Sequence, residues 1–311
     1  MIGKYLNPKN DFVFKRLFGQ EKNKDLLITM LNLVLSNKFH QKIESVEFLP
    51  TIFDAEAKAK KQSIVDVLCQ DQDGCRYIVE MQVAAQDGFQ KRAQYYAAKA
   101  YTNQLSKGGK YEDLKEVIFL AFCDFDIFPE DHHYKSINSM MDHQDGKIKL
   151  RDFSFVFVNL PKFEAKRTQS PSALSLEEKF YYFLHHGEEM SSKEIKAFAQ
   201  HDLFILKAAE EVDSSNWTEA EYNSYEAVLK NERDAVAIID AAKKAGLKEG
   251  LEKGLKQGKV EGIKEGIEQG KVEGFKEGAK QGEIKMIRAL IKEGVISKEK
   301  GEVRINQLLQ K

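Results

Sequence analysis

Ten glycines recur at every fourth position from Gly246 to Gly282, and this spacing constrains the end of the chain more than any other feature. Four residues of α-helix turn through about 400°, so successive glycines lie close together and drift by about 40° per step. Leu247, Leu251, Leu255, Ile263, Ile267 and Phe275 each follow a glycine, and Lys and Glu fill most remaining positions. Each interior glycine costs about 0.8–1 kcal/mol relative to alanine, so the helix is weak alone. A glycine stripe beside an apolar stripe lets two backbones approach closely, and a period above 3.6 winds such a contact right-handed. The tail therefore points to a homo-oligomer; a frayed, charged spacer made by repeat expansion is the other reading. Eight Lys and seven Glu within 246–282 leave it nearly neutral, a poor clamp for DNA. Ile284, Ile287, Leu290 and Ile291 then form a more conventional amphipathic end.

The whole chain, 311 residues, is long enough for about two domains. Lys plus Arg number 48 against 49 Asp plus Glu, a net charge of -1. This excludes a protein that coats nucleic acid by charge alone, and an acidic disordered tail protein. No apolar run approaches the ~18–20 residues that span a bilayer, so no membrane partner is expected. Cys69, Cys75 and Cys123 are odd in number and form no CxxC pair, which suits a reduced, cytoplasmic protein without structural zinc. His132-His133 and His185-His186 lack HxxxH spacing and read as loop or surface histidines. Neither a Walker A loop nor a dinucleotide fingerprint opens the chain, so no nucleotide cofactor is indicated.

Composition divides the chain at 163 and 245. Residues 1–163 read as two helices, three strands, a helix and two strands, that is α/β or α+β with a mixed central sheet flanked by helices. Asn10 is placed to cap the first helix and Gly19 to end it. Strands are expected at Val46-Leu49, Ile64-Cys69, Tyr77-Val83, Val117-Cys123 and Phe153-Leu160. Residues 164–245 read as a helical region entered through a polar linker, 164–176. Residues 246–311 hold the glycine repeat, read as a long C-terminal helix and oligomerisation segment.

Chemistry concentrates in one hairpin. Two β-rich runs, Ser63 to Cys69 and Cys75 to Gln82, flank Gln72-Asp73-Gly74, and Gly74 suits the left-handed position such a turn requires. Pairing outward sets Asp71 opposite Cys75, Gln70 opposite Arg76 and, carried on, Asp66 opposite Glu80. Alternation places Gln82 on the same face as Glu80. Opposed carboxylates repel, and Asp between Val65 and Val67 is a poor strand residue. A divalent cation such as Mg²⁺ would remove the conflict. A half-exposed hairpin whose polar face meets water has the same spacing.

Asp66 followed by Glu80-Met81-Gln82 resembles the PD-(D/E)XK nuclease signature. With Asn7-Pro8-Lys9-Asn10-Asp11-Phe12-Val13-Phe14-Lys15, Ile64-Val65-Asp66-Val67 and Arg92-Ala93-Gln94-Tyr95-Tyr96, the chain is similar to Rpn-type recombination-promoting nucleases, transposases of that superfamily. The resemblance covers residues 5–163 and extends to the glycine-rich tail. It implies a restriction-endonuclease-like core, Mg²⁺-dependent cleavage of DNA phosphodiesters and a link to recombination or transposition. It also implies Asp66 and Glu80 as metal ligands, with the Met81 carbonyl facing the ion and Gln82 completing the catalytic set. The wider superfamily usually has Lys where Gln82 stands, and Gln82 supplies no positive charge.

Supporting residues are sought nearby. Arg92, Tyr95, Tyr96 and Lys99 share one helix face, able to contact phosphate or simply to pack an amphipathic helix. Lys58, Lys60 and Lys61 form a basic run before Asp66, a phosphate grip or a solvated face. Asp11 matches the N-terminal motif and is a candidate metal aid, while also suiting helix N-terminal charge and a pair with Lys15. Two further readings stand beside the endonuclease: a non-catalytic DNA-binding or assembly module on the same fold, favoured by Gln82 and the net charge, and a self-associating protein whose tail is the functional part.

Overall fold

A computed structural model describes residues 4–36, 41–53, 63–105, 108–168 and 170–309. The first helix, α1 (Asp11–Phe18), begins where the Asn10 side chain accepts the N–H of Phe12 and ends at Gly19. α2 (Lys24–Val34) buries Leu27, Met30, Leu31 and Val34 on one stripe. Then come β1 (Val46–Phe48), a small antiparallel pair β2 (Ile52–Phe53) and β3 (Ser63–Ile64), β4 (Val67–Asp71) and β5 (Arg76–Gln82). α3 (Phe89–Thr102), β6 (Val117–Cys123), β7 (Lys135–Ser139) and β8 (Phe153–Asn159) follow.

Six strands form one mixed sheet in the order β1-β4-β5-β6-β8-β7. β1, β4 and β5 are antiparallel neighbours, β5, β6 and β8 run parallel, and β7 returns antiparallel at the edge. The expected α/β architecture with flanking helices is therefore the one that forms. β6 is buried at every position, as a parallel strand covered on both faces must be. β7 is a strand the sequence reading lacks. Its Lys-Ser-Ile-Asn-Ser run is polar and partly exposed, and only its place at the sheet edge makes it a strand.

Each sheet face has its own core. On one, α3 sets Phe89, Ala93, Ala97 and Ala100 against Ile78, Phe119, Ala121 and Phe157. On the other, α1 and α2 cover Val67, Val79, Met81, Leu120 and Phe122. This second core also takes in the helices after the sheet: α4 (Leu160–Lys166), α5 (Leu176–His186), α6 (Ser192–Ala199) and α7 (Leu203–Val212). The Phe180 ring lies 5.8 Å from Phe18 and 5.5 Å from Phe122, and Phe14 lies 6.1 Å from Phe122. These four rings are fully buried, each contributing about 1.5–3 kcal/mol. The helices α4 to α7 thus share a core with the sheet, within the compact unit Met1–Glu232. Within the polar stretch 164–176, residues up to Lys166 extend α4, Leu174 is buried in the core, and Ser175 forms a capping box with Glu178 on α5.

α8 (Glu219–Lys292) carries the glycine repeat in helical form, and α9 (Lys298–Leu309) follows the turn at Gly294, whose φ is +75°. Within the second unit, Arg233–Lys311, the amphipathic end finds its partner in the chain itself. Ile287 and Ile305 are buried, and Gly301 lies so close to Ile291 that a Cβ there would sit 2.4 Å from its Cδ1. The repeat is different. A Cβ at any of the ten glycines from Gly246 to Gly282 would meet nothing within 4 Å, and Leu247 and Phe275 are 77% and 81% exposed.

α1 is fastened to the later helices by a buried cation. Arg16 pairs with Glu211 at 3.2 Å and with Glu221, and its guanidinium lies 4.5 Å from the Trp217 ring centroid. Removing one partner of a buried ion pair leaves uncompensated charge, a loss of about 3–5 kcal/mol. Arg16→Met is expected to lower stability by that amount in urea unfolding. Lys22→Met, which removes the exposed partner of the same Glu211, costs at most about 1 kcal/mol. Equal losses from the two would refute the joint.

Candidate active site

The hairpin forms in the register that its turn dictates. Gly74 has φ +84°, and Val67 pairs with Val79, Leu68 with Ile78, Cys69 with Tyr77 and Gln70 with Arg76. Asp66 lies one residue before this ladder, opposite Glu80. The single strand expected over Ile64-Cys69 is broken there: Ile64 pairs with Ile52, the chain bends at Asp66, and pairing with β5 starts at Val67. Two crossed hydrogen bonds occupy the gap. The Met81 N–H donates to Asp66 Oδ2 at 3.0 Å, and the Asp66 N–H donates to Glu80 Oε1 at 3.3 Å. Each carboxylate is thereby fixed by the other strand's backbone.

Glu80 is buried at the C-terminal end of β5, the end of a parallel strand where open α/β sheets place their sites. Its Oε2 accepts from Gln82 Nε2 at 2.9 Å. Gln82 Oε1 accepts in turn from Arg92 Nη2 at 2.7 Å, and Arg92 Nη1 donates to Gln86 at 2.5 Å. A chain of donors thus runs from α3 to the buried acid. From the other side α1 brings Lys15, whose Nζ lies 3.3 Å from Asp66 Oδ1 and 2.8 Å from Asp11 Oδ1.

The electrostatics follow from burial. Loss of water raises the Asp66 carboxyl well above the usual carboxylate range, and the neighbouring Asp11 carboxyl adds to the rise, while the Met81 N–H and Lys15 oppose it. Burial likewise raises Glu80, Asp66 adds to it, and Arg92 and Gln82 pull it back. Burial opposes the charge of Lys15, yet Asp11 and Asp66 more than offset this and raise its ammonium above ordinary lysine.

Asp66, Glu80, Met81, Gln82, Arg92, Asp11 and Lys15 are thus one connected group. Tyr95 is outside it: exposed, with Lys99 Nζ 5.6 Å from its ring centroid. α3 turns its alanines to the sheet, so the tyrosine on the Arg92 side is Tyr96, which is half-buried and feels the charges of Arg92, Glu80 and Asp66. Lys58, Lys60 and Lys61 lie outside the described residues. Lys15 is the residue the sequence reading left out of the site, and its i,i+4 spacing from Asp11 was the available signal. His185 and His186 are half-buried rather than at the surface; His185 lies 3.3 Å from Asp124, and His186 lies 3.2 Å from Glu164.

Among the described residues, no group of three or more His, Cys, Asp or Glu is arranged to hold one metal ion. A cation here would draw on two carboxylates, a backbone carbonyl and water, which is how Mg²⁺ is commonly held. The Met81 N–H faces Asp66, and a strand residue turns its N–H and C=O to the same side. No described helix is long and apolar enough to cross a membrane.

A family model described as PD-(D/E)XK nuclease family transposase matches residues 8–242. No curated protein and no solved structure matches the chain. The family match covers well over half of the chain, and the chain belongs to that family.

The raised carboxyls have a stability consequence. The folded site holds its protons more tightly than the unfolded chain does. Its contribution is present in full below about pH 4 and is lost as pH rises towards 8. Asp66→Asn is therefore expected to stabilise the metal-free protein at pH 8 by roughly 1–2 kcal/mol and to change little at pH 4. Melting temperatures at both pH values check this; a gain independent of pH would mean that charge is not what is relieved.

Proposed function

From that membership, we propose that the chain is a divalent-metal-dependent DNA endonuclease acting in recombination or transposition, of the Rpn type, with Mg²⁺ as its ion. The observation that carries this reading is the Asp66–Glu80 pair, half-buried Asp66 and buried Glu80, bound crosswise at a strand break and lacking a full counter-charge. Burying like charges together is unfavourable, and a hard cation with carboxylate, carbonyl and water ligands offsets it. Asp66, Glu80 and the Met81 carbonyl would hold that ion.

When bound, the ion supplies an activated water and neutralises charge on the phosphate. The residues do the rest. Asp66 and Glu80 would hold the ion against the reacting phosphate; Gln82, clamped between Glu80 and Arg92, keeps Glu80 oriented, and Arg92 anchors Gln82 from α3. Water oxygen bonds to phosphorus and gives up a proton, one P–O ester bond breaks, and the departing oxygen takes up a proton in exchange. The near-neutral chain would bind DNA through this local site rather than through net charge. Cys69, Cys75 and Cys123 are not joined in disulfides, which suits the cytoplasm.

Nicking of supercoiled plasmid with Mg²⁺ tests the reading. Wild type should nick, and Asp66→Ala and Glu80→Ala should each lose at least about 100-fold. Equal cleavage by all three would place the activity elsewhere. Salt-sensitive DNA binding without cleavage would establish the non-catalytic binding module instead.

The exposed repeat favours a second role, self-association through α8. Ten glycines with open space around them gain nothing from contacts within the chain. Replacing Gly250, Gly254, Gly258 and Gly262 by Ala should strengthen the helix by about 0.8–1 kcal/mol per site. If two copies pack backbone to backbone, the same change shifts sedimentation towards monomer; a spacer would keep its state.

A further inference from the structure

We infer that Lys15 is the phosphate-contacting cation of this site, supplying from α1 the charge that position 82 on β5 lacks. The inference rests on the nuclease reading above and assigns it a residue. Gln82 is neutral, and both ends of its amide are engaged, one by Glu80 at 2.9 Å and one by Arg92 at 2.7 Å. Gln82 is therefore a strut between α3 and Glu80, and turning it to a water or phosphate would break both bonds. Arg92 is charged, but Gln82 and Gln86 hold its two terminal nitrogens on the α3 side.

Lys15 meets the requirements that Gln82 does not. Its Nζ lies 3.3 Å from Asp66 Oδ1, and its side chain is 37% exposed, open to a polyanion arriving from solvent. Its stem is flexible and carries three donors, while the helix beneath it is rigid, because the adjacent Arg16 is buried against Glu211, Glu221 and Trp217. A surface i,i+4 pair with Asp11 alone would be worth little. The reach to Asp66, from another part of the chain, sets Lys15 at the metal-binding acid.

Two roles follow from that position. Without metal, the ammonium neutralises part of the charge on Asp66 and competes with an incoming cation. Once Asp66 is engaged by a divalent ion, Lys15 gives up the 3.3 Å contact, keeps Asp11, and is released towards the phosphate oxygens, where charge develops as the ester bond breaks.

The two roles predict opposite signs for one substitution. In the full chain, Lys15→Gln should bind Mg²⁺ about two- to fivefold more tightly in calorimetric titration without DNA, because a competitor is gone. At saturating Mg²⁺ it should cleave DNA about 100-fold more slowly in single turnover. Adding Gln82→Lys to Lys15→Gln should restore at least about tenfold, by returning a cation from β5. Lys15 is partly exposed, so the variant should melt close to wild type. Unchanged or weaker Mg²⁺ binding, or cleavage within about twofold of wild type, overturns the inference. A wild type that cleaves nothing overturns the nuclease reading and this inference with it; an active wild type beside an equally active Lys15→Gln overturns this inference alone.

Discussion

Two carboxylates stand out of water beside one another, and much of the first unit can be understood as the means of keeping them there. Asp66 and Glu80 would repel if both were charged and would be useless to a cation if they swung apart. The strand break at Asp66 settles the geometry, because each acid accepts a hydrogen bond from the backbone of the opposite strand. Side chains then bring compensation from two directions, Arg92 through Gln82 and Lys15 directly. Neither helix is local to the hairpin. α3 reaches it by packing its alanine face on the sheet, and α1 by burying Phe14 and Phe18 among the aromatic rings of β6 and α5.

What could be read from the residues alone was whatever short-range chemistry dictates. The Asp-Gly turn sets the register of β4 and β5, and with it the meeting of residues 66 and 80, since one slip would move every side chain to the other face. Asn10 and Gly19 mark the ends of α1 for similarly local reasons. The apolar run of β6 announces a strand covered on both sides.

Features set by distant partners were not legible. Ile64 to Cys69 has the composition of one strand, and only Ile52 pulling Ile64 away shows the break. β7 is polar and exists because an edge was free. Arg92, Tyr95, Tyr96 and Lys99 share a helix face by spacing, but the alanine stripe that meets the sheet decides which side of that face turns inward, and Tyr95 loses. Lys15 was visible as the partner of Asp11; its contact with Asp66 depends on α1 being held by residues some 200 positions later. The stretch 164–176 is different: the Ser175–Glu178 capping box of α5 was a local signal, and only the burial of Leu174 in the core depends on distant partners.

The joint at Arg16 has a temporal meaning as well. Its acidic partners, Glu211 and Glu221, and the Trp217 ring beneath it are among the last parts of the first unit to leave the ribosome. Until they emerge, α1 lacks this anchor, and a nascent chain ending near residue 163 carries both acids and Lys15 without the joint that fastens α1 to the later helices. A site completed this late stays immature through most of its own translation, so shortened copies of the chain carry its residues without the joint that holds them together.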